Sequence, residues 1–226
     1  MNVEEIEVQE HLGALADNLS LKQLTVATNL RRQSFQIYLS DPASAVQRGV
    51  YFCGLKPYGA VGRSYPAPEK LSAGFNTYRD ASTSSPFYSR ARKLIRHTLD
   101  LTLGEMAPLE AAFCTNWFFQ RAADTAQLKR FGLDALDVSK FHEQFLQRYR
   151  PKIILCIGNG PVSAYAGMLK LLDLKTETTE PYLGRSYLRA STKKGEAVII
   201  GLPHLSRYSV EPAALDFINR CYRALV

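Results

Sequence analysis

The residues of this chain best suited to chemistry lie just past short apolar runs. His204 stands in Gly201-Leu202-Pro203-His204-Leu205-Ser206-Arg207-Tyr208, directly behind Ala197-Val198-Ile199-Ile200. Of the four histidines, His11, His97, His142 and His204, it is the one in a loop that follows a buried-type run. An imidazole placed there can stabilise charge that builds on a departing group. Asn116 follows a second run, Ala111-Ala112-Phe113-Cys114, and its amide offers the donor and acceptor needed to read the edge of a heterocycle. Lys56 follows a third run, Gly49-Val50-Tyr51-Phe52-Cys53. Its ammonium can stabilise an anion or, with a pKa lowered by burial, attack a sugar carbon.

The elements that must position these residues are legible as well. The three runs and a fourth, Ile153-Ile154-Leu155-Cys156-Ile157, are continuous rather than alternating, as expected of parallel strands covered on both faces. Helical patterns separate or follow them: Phe87 to Leu101, Ser139 to Tyr149, Pro161 to Leu172 and Pro212 to Leu225. The alternation predicts an α/β fold, a three-layer αβα sandwich around a short, largely parallel four-stranded sheet. Residues 1–226 read as one domain, with residues 1–45 a helical extension of it marked by Leu12, Leu15, Leu19, Leu21 and Leu24. The stretch from Arg63 to Ser85, rich in Pro, Ser, Gly, Thr and Tyr, reads as a long loop. Ligands of open α/β sheets sit outside the carboxyl ends of the strands, where these segments converge.

Taken together, three of the segments resemble the motifs of the uracil-DNA glycosylase superfamily. Phe52-Cys53-Gly54-Leu55-Lys56-Pro57-Tyr58-Gly59 is similar to that family's first motif, and Leu202-Pro203-His204-Leu205-Ser206-Arg207 to its second, with an asparagine after the second strand between them. The resemblance covers the chain from Val50 to Val226. It implies a DNA glycosylase that swings a nucleotide out of the stack and hydrolyses the N-glycosidic bond of uracil or another modified or deaminated base. It further implies that His204 donates to the base O2, and that Gly54, Leu55, Tyr58, Phe75 and Asn116 line the base pocket. Phe75 or Tyr65 would supply the stacking face, and Tyr58 would exclude a 5-methyl group. Gly59, Ser206, Arg207 and Tyr208 would meet DNA, Ser206 at a phosphate and the other two in the space left by the flipped nucleotide.

Family members place Asp, Asn or Glu within the first motif to orient the attacking water; here Leu55 and Lys56 occupy those positions, and Leu205 replaces a usual proline. Three readings of Lys56 stand side by side. It stabilises the anionic leaving base, it is a nucleophile that forms a Schiff base, or the chain is catalytically inactive and binds nucleic acid. Asp80 and Asp124 are spare carboxylates near these segments in sequence. Hydrolysis of a free nucleoside or nucleotide is a further use of the same chemistry.

Composition bounds the rest. The formal charge of +7 permits a polyanionic partner such as single- or double-stranded DNA, with local density at Arg90-Ala91-Arg92-Lys93, Arg96 and Arg148-Tyr149-Arg150-Pro151-Lys152. Cys53, Cys114, Cys156 and Cys221 lack metal-ligand spacing and read as buried hydrophobes, so no metal is expected. Gly158-x-Gly160-x-x-Ser163 superficially resembles a dinucleotide fingerprint, but no acidic residue closes a following strand, Glu177 and Glu180 being read as loop residues. It reads instead as a tight strand-to-helix turn with Pro161 at the helix start, and no cofactor is expected. No apolar run approaches the roughly 20 residues of a membrane span. A monomeric cytoplasmic protein is the expectation.

Overall fold

The computed structural model describes residues 39–56, 76–80, 85–119, 124–130, 138–192 and 195–225. The expected N-terminal helix up to residue 38, and Tyr58, Gly59, Tyr65 and Phe75, lie outside the described residues.

The four continuous apolar runs form β1 (Val50–Gly54), β2 (Phe113–Asn116), β3 (Ile153–Ile157) and β6 (Val198–Leu202), every residue of them buried. They pair in parallel in the order β2-β1-β3-β6. The sheet is not four-stranded, however. It is a six-stranded mixed sheet, because β4 (Thr178–Tyr182) and β5 (Arg185–Ser191) add an antiparallel hairpin to the β6 edge. These two strands alternate between exposed and half-buried residues and carry Pro181, as edge strands do, so they lack the apolar run that marks their neighbours. Glu180 accordingly lies in a strand rather than a loop, with Glu177 just before it.

Both faces of the sheet are covered. Helices α2 (Pro86–Leu103) and α6 (Pro212–Arg223) pack Leu94, Ile95, Leu99, Phe217 and Ile218 against Phe52, Leu155 and Ile200 on one face. Helices α4 (Ser139–Tyr149) and α5 (Ala164–Leu171) pack Phe141, Phe145, Tyr165 and Met168 against Tyr51, Ile154 and Ile199 on the other. Two short helices, α1 (Thr77–Asp80) and α3 (Thr125–Arg130), lie in the connections. The sequence reading of Arg63 to Ser85 as loop misses α1. Asn76 nucleates it: its Oδ1 accepts from the Tyr78 and Arg79 amides, while Asp80 reaches back to the Asn76 N–H. Residues 39–45 are likewise not helical, but carry a bridge from Ser40 to Asn76 and a turn. Helix α5 starts at Ala164 and not at Pro161, because the Ser163 hydroxyl caps it by accepting from the Ala166 amide at 3.1 Å.

One contact fixes how closely α5 approaches the end of β2. A Cβ on Gly167 would stand 2.3 Å from the indole of Trp117, the single tryptophan of the chain. Gly167→Ala is therefore expected to overpack this contact and to cost about 1–3 kcal/mol. The expected readout is a lowered Tm together with a shifted Trp117 emission; an unchanged Tm and spectrum would contradict the packing described.

Candidate functional site at the carboxyl edge of the sheet

Residues of one parity along the parallel strands face α2 and α6. Phe52 and Cys114 do so, and Gly54 and Asn116 follow them two residues on. Gly54 and Asn116 are register partners, and a Cβ on Gly54 would come within 2.5 Å of Asn116 Oδ1. The asparagine amide thus lies over the glycine, where no other residue type leaves it room. Asn116 is 4% exposed.

Pairing continues past the strands. The Trp117 N–H donates to the Gly54 carbonyl at 2.8 Å and the Phe118 N–H to the Leu55 carbonyl at 2.9 Å, which fixes the backbone that leads into Lys56. Leu55, expected in a base pocket, instead turns to the opposite face and packs against the core under α4 and α5. Half-buried Lys56 stays near the edge: burial lowers its pKa, and Asp124 lies close enough to oppose that shift. Asp124 also accepts the Gln127 N–H at the start of α3, which sets its position. Asp80 is no spare carboxylate, since both its oxygens are engaged by Arg79 and the Asn76 amide.

His204 follows β6 by two residues, three strand positions from Asn116, or roughly 14 Å across the sheet. Lys56, after β1, enters between them. The His204 ring lies against Phe87 at the start of α2, with centroids 5.6 Å apart. Although the residue as a whole is exposed, protein crowds one side of the ring. That desolvation, and then the positive charges of Lys56 and Arg207, hold its pKa below the ordinary 6.5. The Lys56 contribution is direct evidence that the first and last motifs meet.

The protonation of His204 follows from its neighbours. The Ser206 backbone N–H, which can only donate, points at Nδ1 at 3.3 Å, and the Ser206 hydroxyl lies 2.8 Å from the same nitrogen. Nδ1 is the acceptor, so the neutral ring carries its proton on Nε2. In this geometry the Ser206 hydroxyl, expected at a phosphate, serves the imidazole. Arg207 is exposed, and half-buried Tyr208 accepts from Arg185 Nε at 3.4 Å.

The loop is clamped from α2. Arg90 donates to the Leu205 carbonyl at 2.6 Å and Lys93 to the Val210 carbonyl at 3.1 Å, while Arg92 and Arg96 hold the Tyr78 and Ala107 carbonyls. The first basic cluster is therefore a set of loop anchors. The second begins at Arg148 and ends at Lys152, just before β3, and lies at the opposite, amino edge of the sheet. Sequence reasoning missed Phe87, whose place in a helical pattern gave no sign that it flanks His204.

A buried network supports Asn116 from behind. His142, fully buried, is stacked on Trp117 with ring centroids 4.4 Å apart. Its Nε2–H donates to the Trp117 carbonyl at 2.9 Å, and its Nδ1 accepts from the Tyr51 hydroxyl at 2.8 Å. His97 is also structural, joining α2 to Asn219 of α6 at 2.8 Å. The four cysteines are buried and free, and no group of three or more His, Cys, Asp or Glu suited to a metal occurs among the described residues. No helix among them is long and apolar enough to cross a membrane.

Burial lowers the His142 pKa from 6.5 to about 4. A folded-state pKa below the unfolded one stabilises the protein above the unfolded value, and the contribution is lost as pH falls through the folded value. Unfolding by urea is expected to show stability falling by on the order of 3 kcal/mol from this residue. The window runs from pH 6.5 down to about 4, and His142→Gln should flatten it. An equally steep profile in the variant would place the titrating group elsewhere.

No protein-family model matches the chain, and a search of curated proteins finds no match.

Proposed function

We propose that the chain is a DNA glycosylase-like enzyme that releases uracil or another modified or deaminated base by cleaving its N-glycosidic bond. The observation that carries this reading is a histidine with a free-to-donate Nε2 tautomer beside a lysine cation, on the sheet edge that also holds a buried asparagine amide.

In such a reaction the C1′–N bond breaks and its electron pair leaves with the base. His204 Nε2–H donates to the oxygen on which that charge collects, and the Lys56 ammonium lowers the energy of the same anion. Both act where partial desolvation strengthens them. The Asn116 amide pairs with one donor and one acceptor on the base edge. Water adds to C1′ and gives up a proton, and the departed base anion takes one up. Asp124 favours the charged form of Lys56, which supports a lysine that acts as a cation over one that attacks as an amine.

A second reading, a non-catalytic nucleic-acid-binding protein on the same scaffold, is favoured by one feature. Leu55 is packed into the core and Lys56 is a cation, so the first motif offers no carboxylate or amide to hold water.

Incubation with oligonucleotides that carry uracil, hypoxanthine, xanthine or 5-hydroxymethyluracil separates the two. The glycosylase reading expects an abasic product from at least one, and a loss of about 100-fold in rate with His204→Ala. Absence of product from the whole panel, single- and double-stranded, with salt-sensitive binding retained, favours the binder. The pH–rate profile should be a bell with both limbs displaced downward. The acid limb falls below 6.5 as Nδ1 of His204 is protonated and loses its Ser206 donors, and the alkaline limb falls below 10.5 as Lys56 loses its charge. Lys56→Met should remove the alkaline limb, and a borohydride-trapped adduct would contradict the cation role.

A further inference from the structure

The β4–β5 hairpin points the same way as the candidate site. β5 runs antiparallel to β6 with Leu188 opposite Gly201, so the start of β5 and the turn before it lie past the carboxyl end of β6, where the His204 loop begins. The turn is Leu183-Gly184 between the paired residues Tyr182 and Arg185. Both central residues have positive φ, 44° and 73°, the signature of a type I′ turn. That turn favours Asn-Gly, because a short polar side chain tolerates the left-handed region and leucine does not. Leu183 is nevertheless there, 72% exposed. Within the fold, an apolar side chain in a disfavoured backbone conformation at an exposed tip gains nothing. Such a residue points to a role outside the fold.

The tip is well braced. Tyr182 stacks on Tyr187 with centroids 4.7 Å apart, Glu180 pairs with Arg220 at 2.6 Å, and Asn159 donates its amide to the Ser186 carbonyl. Arg185 Nε donates to the Tyr208 hydroxyl at 3.4 Å, which joins the hairpin to the loop that carries His204 and Arg207. Arg185 and Arg207 are both exposed, and neither forms an ion pair with a carboxylate among the described residues. A braced apolar tip between two cations matches a base step flanked by phosphates, which is how apolar wedges kink and unstack a duplex.

We infer that the β4–β5 hairpin is a duplex-DNA contact, with Leu183 the wedge that enters the base stack beside the nucleotide offered to His204. This rests on the glycosylase reading above and adds to it the strand state of the substrate. A wedge has a stack to enter only in a duplex, so the hairpin makes double-stranded DNA the preferred form.

Leu183→Asn tests this without damage to the turn, since asparagine is the residue that turn favours. Its Tm should equal or exceed that of the parent chain. Its binding to a duplex carrying an abasic analogue, read by fluorescence anisotropy, should weaken about tenfold, as expected for loss of a central apolar anchor. 2-Aminopurine placed beside the abasic analogue should brighten on binding of the parent chain and not of the variant. Single-stranded binding should be the same for both, and Leu183→Met should behave as the parent. If the parent binds the duplex and Leu183→Asn binds it equally well with the same 2-aminopurine signal, the hairpin inference fails and the glycosylase reading stands. If the parent neither binds nor cleaves DNA of either form, both fail.

Discussion

Three restraints meet at Trp117 and fix the end of β2. Its N–H is held by the Gly54 carbonyl and its own carbonyl by the His142 imidazole. Its indole is sandwiched between the His142 ring and the backbone of Gly167. His142 completes the chain by accepting from Tyr51. Each polar atom of this network meets a partner, so its burial is tolerated, and a satisfied buried network specifies one geometry rather than several. With Trp117 immobile on one face of the sheet, Asn116 must project from the other, over Gly54. The bond from the Phe118 N–H to the Leu55 carbonyl then carries the same restraint into the turn that presents Lys56.

At the other end of the site the restraints are cationic. Arg90 and Lys93 reach from α2 to carbonyls of the loop between β6 and α6, and Ser206 sets the tautomer of His204 from within that loop. Much of the positive charge that the sequence offers to a polyanion thus goes into holding loops. The cations that border the proposed base site are fewer: Lys56, Arg185 and Arg207. On this account affinity for nucleic acid depends on their placement more than on the net charge of +7.

The parallel strands were legible because burial on both faces leaves continuous apolar runs, and the placement of Asn116 and His204 at their carboxyl ends followed directly. Helix α4 was legible to its ends through its periodic Phe141, Phe145 and Tyr149. The hairpin was hidden because its strands are short and half-exposed, with Pro181, Arg185 and Arg189 in them. Contacts between residues distant in the chain left no local trace. His142 on Trp117, Phe87 beside His204 and Arg90 on Leu205 all join segments whose sequences say nothing of one another. The side on which Leu55 falls was equally hidden, because a strand's parity shows which residues share a face and not which face holds the site.

The central claim is that His204 is a neutral donor held next to the Lys56 cation. Titration of the His204 imidazole by NMR, in the parent chain and in Lys56→Met, tests it most directly. The account predicts a neutral ring with its proton on Nε2 and a pKa below 6.5 that rises when the lysine charge is removed. A pKa at or above 6.5 that is indifferent to Lys56, or a neutral ring protonated on Nδ1, would contradict it.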